Sequence, residues 1–182
     1  MKNLAKWQGV APVSSPLGPP DAPVFVAMKT LREVDDVHCP TVFVQNWGSR
    51  VTDVIDISRD QPSYDPTGLQ RGGIAYHKMS TVSKIPPTDE EVASFVSLVD
   101  SVRESRAPDE GGEKRLIGVH CHYGFNRTGY FIVCYLVERC GFGVQAAMDA
   151  FAAARPPGIR HQHFRDKLFM KYGMRGESKK DI

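Results

Sequence analysis

No two of the four cysteines, Cys39, Cys121, Cys134 and Cys140, stand at CxxC spacing, which leaves a zinc site little support. No apolar stretch is long enough to span a membrane. The longest, Tyr130 to Val137, reads instead as part of a buried helix. Met1 to Val10 lacks the apolar segment of a secretory signal, so reduced thiols in the cytosol or nucleus are the expectation. The formal charge is only +2, too small to argue by itself for nucleic acid. No internal repeat is visible. What is present, 182 residues with 41% hydrophobic and 24% charged side chains, suits one domain with a real core and no second domain of ordinary size.

The order of local signals predicts an α/β domain. Residues 1–23 form an irregular N-terminal arm rich in Pro, Gly and Ser, residues 24–173 the domain, and residues 174–182 a polar tail. Val24 to Ala27, Thr41 to Val44 and Val51 to Ile57 are β-like runs. Gln61 to Gly73 is loop or broken helix, and Ile74 to Met79 an edge strand. Thr88 and Glu91 have capping-box spacing behind Pro86-Pro87, so a helix starts there, with Val92, Phe95, Val96 and Val99 on one face. Asp109 to Lys114 is a solvated turn. Leu116 to Val119 has no polar break, the pattern of a central strand covered on both faces. Helices follow over Thr128 to Arg139, Val144 to Ala154 and His161 to Tyr172, the second stopped by Arg155-Pro156-Pro157-Gly158.

Between the buried strand and the first of these helices lies His120-Cys121-His122-Tyr123-Gly124-Phe125-Asn126-Arg127-Thr128-Gly129. A strand, a tight loop and a helix N-terminus turn successive backbone N–H groups inward, and such a nest binds a tetrahedral oxyanion. Gly124 can take a backbone conformation closed to other residues, and Gly129 is expected to let the helix start close to a ligand. Arg127 adds a planar fork for two phosphate oxygens. The same field favours the Cys121 thiolate, a nucleophile for in-line attack on phosphorus. Cys121 and Arg127 are therefore the expected catalytic pair. His120 is expected to hold the loop and the cysteine carbonyl, Thr128 to donate to the thiolate, and Asn126 to brace the loop or touch substrate. Cys134 and Cys140 fit the ordinary role of buried cysteine, a small hydrophobe.

The run H-C-x-x-G-x-x-R-T-G resembles the signature of the cysteine-dependent protein tyrosine and dual-specificity phosphatases. The longer run Val119 to Tyr130, with Leu136-Val137-Glu138, Ala146-Ala147, Phe151, the segment Ala154 to Ile159, and Phe169 to Gly173, is similar to one branch. That branch is the metal-independent RNA 5′-triphosphatase domain of metazoan-type mRNA capping enzymes. Met28-Lys29-Thr30 and the block Val54 to Lys78 add to the likeness, which covers most of residues 20–173. The resemblance implies a compact cysteine-phosphatase fold, with a central, mostly parallel sheet flanked by helices and the phosphate loop between a buried strand and a buried helix. It implies a monomer that needs no metal or cofactor. The γ-phosphate would be removed from the 5′-triphosphate end of RNA, in the nucleus or cytoplasm. A separate guanylyltransferase or the transcription machinery is the implied partner.

Protein phosphatases of this superfamily use an aspartate on a separate loop to protonate the leaving oxygen. The matching region here, Ser80 to Pro87, contains none. Asp89 and Glu90 sit in the first turn of the next helix and read as dipole-matching residues; Asp60 and Asp65 are alternative acids. A phosphoanhydride leaves as a weakly basic phosphate oxygen and needs less proton donation than an alkoxide or phenoxide, so the missing aspartate favours a triphosphate end. Lys29, Arg59, Lys78, Lys84, Arg155 and Arg160 are the cations expected at the rim; the plainer alternative is scattered surface charge. His161 and His163 are expected at the surface. Three classes of function stay open: an RNA 5′-triphosphatase, an atypical dual-specificity protein phosphatase acting on phosphotyrosine, phosphoserine and phosphothreonine, and an idle phosphate-binding module.

Overall fold

The computed structural model describes residues 3–106 and 114–173. Residues 109–113 of the expected turn and the expected tail over 174–182 lie outside the described residues. Four strands, β1 (Phe25–Met28), β2 (Val51–Asp56), β3 (Ala75–Lys78) and β4 (Leu116–His120), form one parallel sheet in the order β1-β4-β2-β3. β4 is central, as its unbroken apolar run predicts, and all five of its residues are buried. β3 is an edge.

Side chains alternate along the strands and build a core on each face. Phe25, Ala27, Ile55, Ile117 and Val119 face the larger one. It is closed by α4 (Asp89–Glu104), α5 (Asn126–Cys140), α6 (Val144–Ala154) and α7 (Gln162–Leu168), the last running into a π-helical turn at Phe169–Gly173. Val26, Met28, Val54 and Leu116 face a smaller core under α2 (Pro40–Trp47) and α3 (Thr67–Arg71). α5 is wedged between the sheet and its neighbours, so every residue from Arg127 to Leu136 is buried. That explains why its sequence is apolar nearly all round. The capping box of α4 is formed: the Glu91 amide donates to Thr88 Oγ1 at 3.1 Å and the Thr88 amide to Glu91 Oε1 at 2.9 Å.

Two expectations fail. Thr41 to Val44 is helix, not strand. Pro40 occupies the first helical turn, where its missing N–H costs nothing, and burying Pro40 and Phe43 on one face outweighs the β propensity of Thr, Val and Phe. The N-terminal arm is not irregular throughout. It contains α1 (Leu4–Gln8), and Val13 and Leu17 make isolated antiparallel bridges to Met28 and Phe25. The arm thus covers the free edge of β1, which would otherwise expose unpaired backbone groups.

Candidate active site

β4 ends at His120, and the chain turns through Cys121 to Phe125 before α5 begins. The turn depends on Gly124, whose φ is +83°; a Cβ there would stand 2.3 Å from the Met28 carbonyl oxygen. Cys121 is 5% exposed. Thr128 Oγ1 donates to its Sγ at 3.2 Å. Burial alone would raise the Cys121 pKa, but the Arg127 guanidinium, the Thr128 hydroxyl and the amides of Thr128 and Gly124 overcome it, and the net shift is downward. For Cys134 burial wins: it pushes the thiol up to about 12, although Tyr172 and Lys171 pull the other way. The two buried thiols are thus shifted in opposite directions. Arg127 lies in the first turn of α5 with Nη1 donating to the Thr81 carbonyl at 3.1 Å, so its fork is aimed by the segment between β3 and α4.

His120 has no exposure. Its Nδ1 lies 2.9 Å from the Cys121 carbonyl oxygen, and its Nε2 lies 2.7 Å from the Tyr64 hydroxyl. A carbonyl only accepts, so Nδ1 carries the proton and Nε2 accepts from Tyr64. Burial lowers the His120 pKa and keeps the ring neutral. Behind it, the fully buried Asp56 carboxylate accepts from Tyr76 at 2.7 Å and Lys78 at 3.1 Å. The Cys121 carbonyl therefore rests on a packed polar network.

A cavity of about 320 Å³ opens over Cys121. The loop lines it with His122, Tyr123, Phe125, Asn126 and Arg127; Ser83, Lys84, Lys6, Arg160, His161 and Phe164 complete the lining. No carboxylate lines it among the described residues. A thiolate, a guanidinium and inward amides at the base of a cationic cavity can attack a phosphoryl group and stabilise its equatorial oxygens. Residues 45–173 match the model of the dual specificity phosphatase catalytic domain. The chain belongs to the dual-specificity phosphatase family.

This phosphatase is 38% identical to the mouse mRNA-capping enzyme over 121 residues, 66% of this chain but only 19% of that enzyme. It is 34% identical to the bovine RNA/RNP complex-1-interacting phosphatase over 63% of this chain and 33% of that protein. Among solved structures it is similar to a protein tyrosine phosphatase from Leishmania major. The TM-score is 0.66 at 22% identity, covering 88% of this chain and 98% of that one. That likeness concerns the fold.

Of the six cations expected at the phosphatase's rim, Lys84 and Arg160 line the cavity. The other four do not. Lys29 is 4% exposed and donates to the Trp7 carbonyl at 2.8 Å, stacked over the Trp7 ring. Lys78 is paired with Asp56 and donates to the Asp60 carbonyl. Arg59 is exposed and is not part of the cavity lining. Arg155 is 2% exposed and lies behind the loop, donating to the carbonyls of Tyr123 at 2.8 Å, Gly124 at 3.3 Å and Ala11 at 2.7 Å. A buried guanidinium needs such acceptors, so Arg155 holds the loop's shape from outside.

Gly129 also differs from expectation. A Cβ there would meet Phe151 at 2.6 Å and Ile159 at 2.7 Å; the glycine makes room for helix packing, not for a ligand. Asn126 braces the loop: its Oδ1 accepts from the amides of Arg160 and His161 at 2.8 and 2.9 Å. Asp60, Asp65, Asp89 and Glu90 all lie outside the cavity lining. Asp89 is paired with Lys171 at 2.6 Å, and Asp65 accepts from the Thr67 amide. His161 and His163 are exposed, and His161 also lines the cavity. Lys6 was not legible as a site residue; the only local signal is its place beside Trp7, an aromatic in a polar segment that must be buried somewhere.

Proposed function

We propose that this phosphatase is an RNA 5′-triphosphatase that removes the γ-phosphate in the first step of capping. The observation that carries this reading is the cavity wall: cations and aromatics surround Cys121 with no carboxylate among the described residues. The Cys121 thiolate attacks the γ-phosphorus in line. The bond to the bridging oxygen breaks, and diphosphate-ended RNA leaves as a weakly basic phosphate anion that requires no protonating side chain. Water then attacks the phosphocysteine, and the thiolate departs toward the Thr128 hydroxyl. Arg127 and the loop amides supply the positive field a metal would otherwise give. The similarity to mRNA-capping enzymes and to an RNA/RNP-interacting phosphatase supports an RNA end as substrate. On this reading the protein works in the nucleus, beside a guanylyltransferase that consumes the diphosphate end. The second reading, a protein phosphatase of dual specificity, is favoured by the family match itself.

The two separate on substrate preference. In excess chelator, kcat/KM for γ-labelled triphosphate RNA should exceed that for a tyrosine phosphopeptide by more than about tenfold, roughly 1.4 kcal/mol. Asp89→Asn and Glu90→Gln should stay within a few-fold of the wild type on RNA, because both residues lie outside the cavity. A preference for the peptide, with an acid limb removed by either variant, would make the protein phosphatase reading correct. Strict dependence on added magnesium or manganese would overturn the cysteine mechanism.

A further inference from the structure

The phosphate cradle accommodates one phosphoryl group, between Cys121 and Arg127. A triphosphate end carries two more, which must lie outward in the cavity. Lys6 stands there. It lines the cavity, with Nζ 4.6 Å from the centre of the Tyr123 ring. It reaches the site from α1, more than a hundred residues from the loop in sequence, and the helix is fixed at that place. Trp7 is 1% exposed, and its indole N–H donates to the Thr30 carbonyl at 3.0 Å. Lys29 Nζ donates to the Trp7 carbonyl at 2.8 Å, and the Thr30 amide donates to the His122 carbonyl at 3.0 Å. The neighbour of Lys6 is thus tied, through Thr30, to the phosphate loop itself. Burial lowers the pKa of both His122 on the loop and His161 at the start of α7, and the Lys6 charge adds to the shift at each, so it is felt on two sides of the opening. No ion pair engages it among the described residues.

We propose that Lys6 is a specificity-determining residue that binds the phosphate next to the reacting one, selecting a chain of phosphates over a monoester; its natural ligand rests on the triphosphatase reading. The N-terminal arm is then part of the substrate site as well as a cover for the sheet edge. An exposed ammonium is a flexible point charge that can follow a phosphate as it leaves, whereas Arg127 is fixed by its Thr81 contact.

The test is binding to the Cys121→Ser protein, which keeps ligand intact. Affinities for inorganic tripolyphosphate and for orthophosphate are measured by calorimetry with and without Lys6→Gln. The ratio of tripolyphosphate to orthophosphate affinity should fall about five- to tenfold in Lys6→Gln. Lys6→Arg should restore most of it, and the difference should narrow at high ionic strength, since an exposed charge is screened. Equal losses on both ligands, or no loss on either, would overturn the assignment. The measurement does not use RNA turnover. A lowered ratio in a protein that prefers phosphopeptides would uphold Lys6 and sink the triphosphatase reading alone.

Discussion

Cys121→Ser is expected to lose turnover by a factor on the order of 10⁴ or more, the scale on which a covalent nucleophile is missed. The reason lies in the ionisation of the sulfur. The surroundings of Cys121 hold its pKa below that of an ordinary thiol against the opposing effect of burial, whereas a serine hydroxyl in the same place stays protonated. The cradle itself is unchanged by the substitution. Gly124 keeps its positive φ, Arg127 keeps its Thr81 contact, and Thr128 still has an oxygen to donate to. Phosphate should therefore bind the variant at least as well as the wild type, because a thiolate repels a phosphate dianion and a neutral hydroxyl does not. The check is steady-state turnover together with orthophosphate titration. Loss of both activities would mean that the cradle, and not the nucleophile, had been damaged.

Arg127→Lys should fall about a hundred- to thousand-fold in kcat/KM, about 3 to 4 kcal/mol, the cost of losing a preorganised transition-state donor. Charge is conserved in this substitution, so the loss measures geometry. A guanidinium anchored on the Thr81 carbonyl still presents donors to two equatorial oxygens at once. An ammonium at the same position is shorter and cannot do both. The effect should appear in kcat more than in KM, since charge on the equatorial oxygens is redistributed as the bond to the leaving group breaks. Steady-state kinetics on the preferred substrate decides it. A change of less than about tenfold would show that the loop amides carry the phosphate alone.

The strand-loop-helix passage was legible in the sequence because it is contiguous. Cys121, Gly124, Arg127 and Thr128 lie within one strand-loop-helix passage, and the spacing alone implies a cradle. Central β4, edge β3 and the capped start of α4 were readable for the same reason, since each rests on neighbours in the chain. The rim was not. It is assembled from α1, the Ser83-Lys84 segment and the approach to α7, which only tertiary structure brings together. Charge type was a poor guide there. Lys29 and Arg155 are cations that found carbonyl partners in the interior, and nothing in their local sequence distinguishes them from Lys84 or Arg160. α2 was misread because its four residues Thr41 to Val44 carry a strand's composition, while the deciding contact, Phe43 packed beneath the sheet, is long-range.

The proposed transfer of the γ-phosphate to Cys121 is the step on which the account depends, and a single-turnover experiment observes it directly. Excess enzyme is mixed with γ-labelled triphosphate RNA in chelator, quenched in acid at short times, and digested to locate the label. The wild type should carry label on Cys121 while diphosphate-ended RNA is released in equal amount. Thr128→Ala should accumulate more, because the departing thiolate of the second step has lost the hydroxyl 3.2 Å from its sulfur. RNA labelled at the β-position should leave the protein unlabelled. Label found on another side chain, or phosphate released at the wild-type rate by Cys121→Ser, would contradict the account.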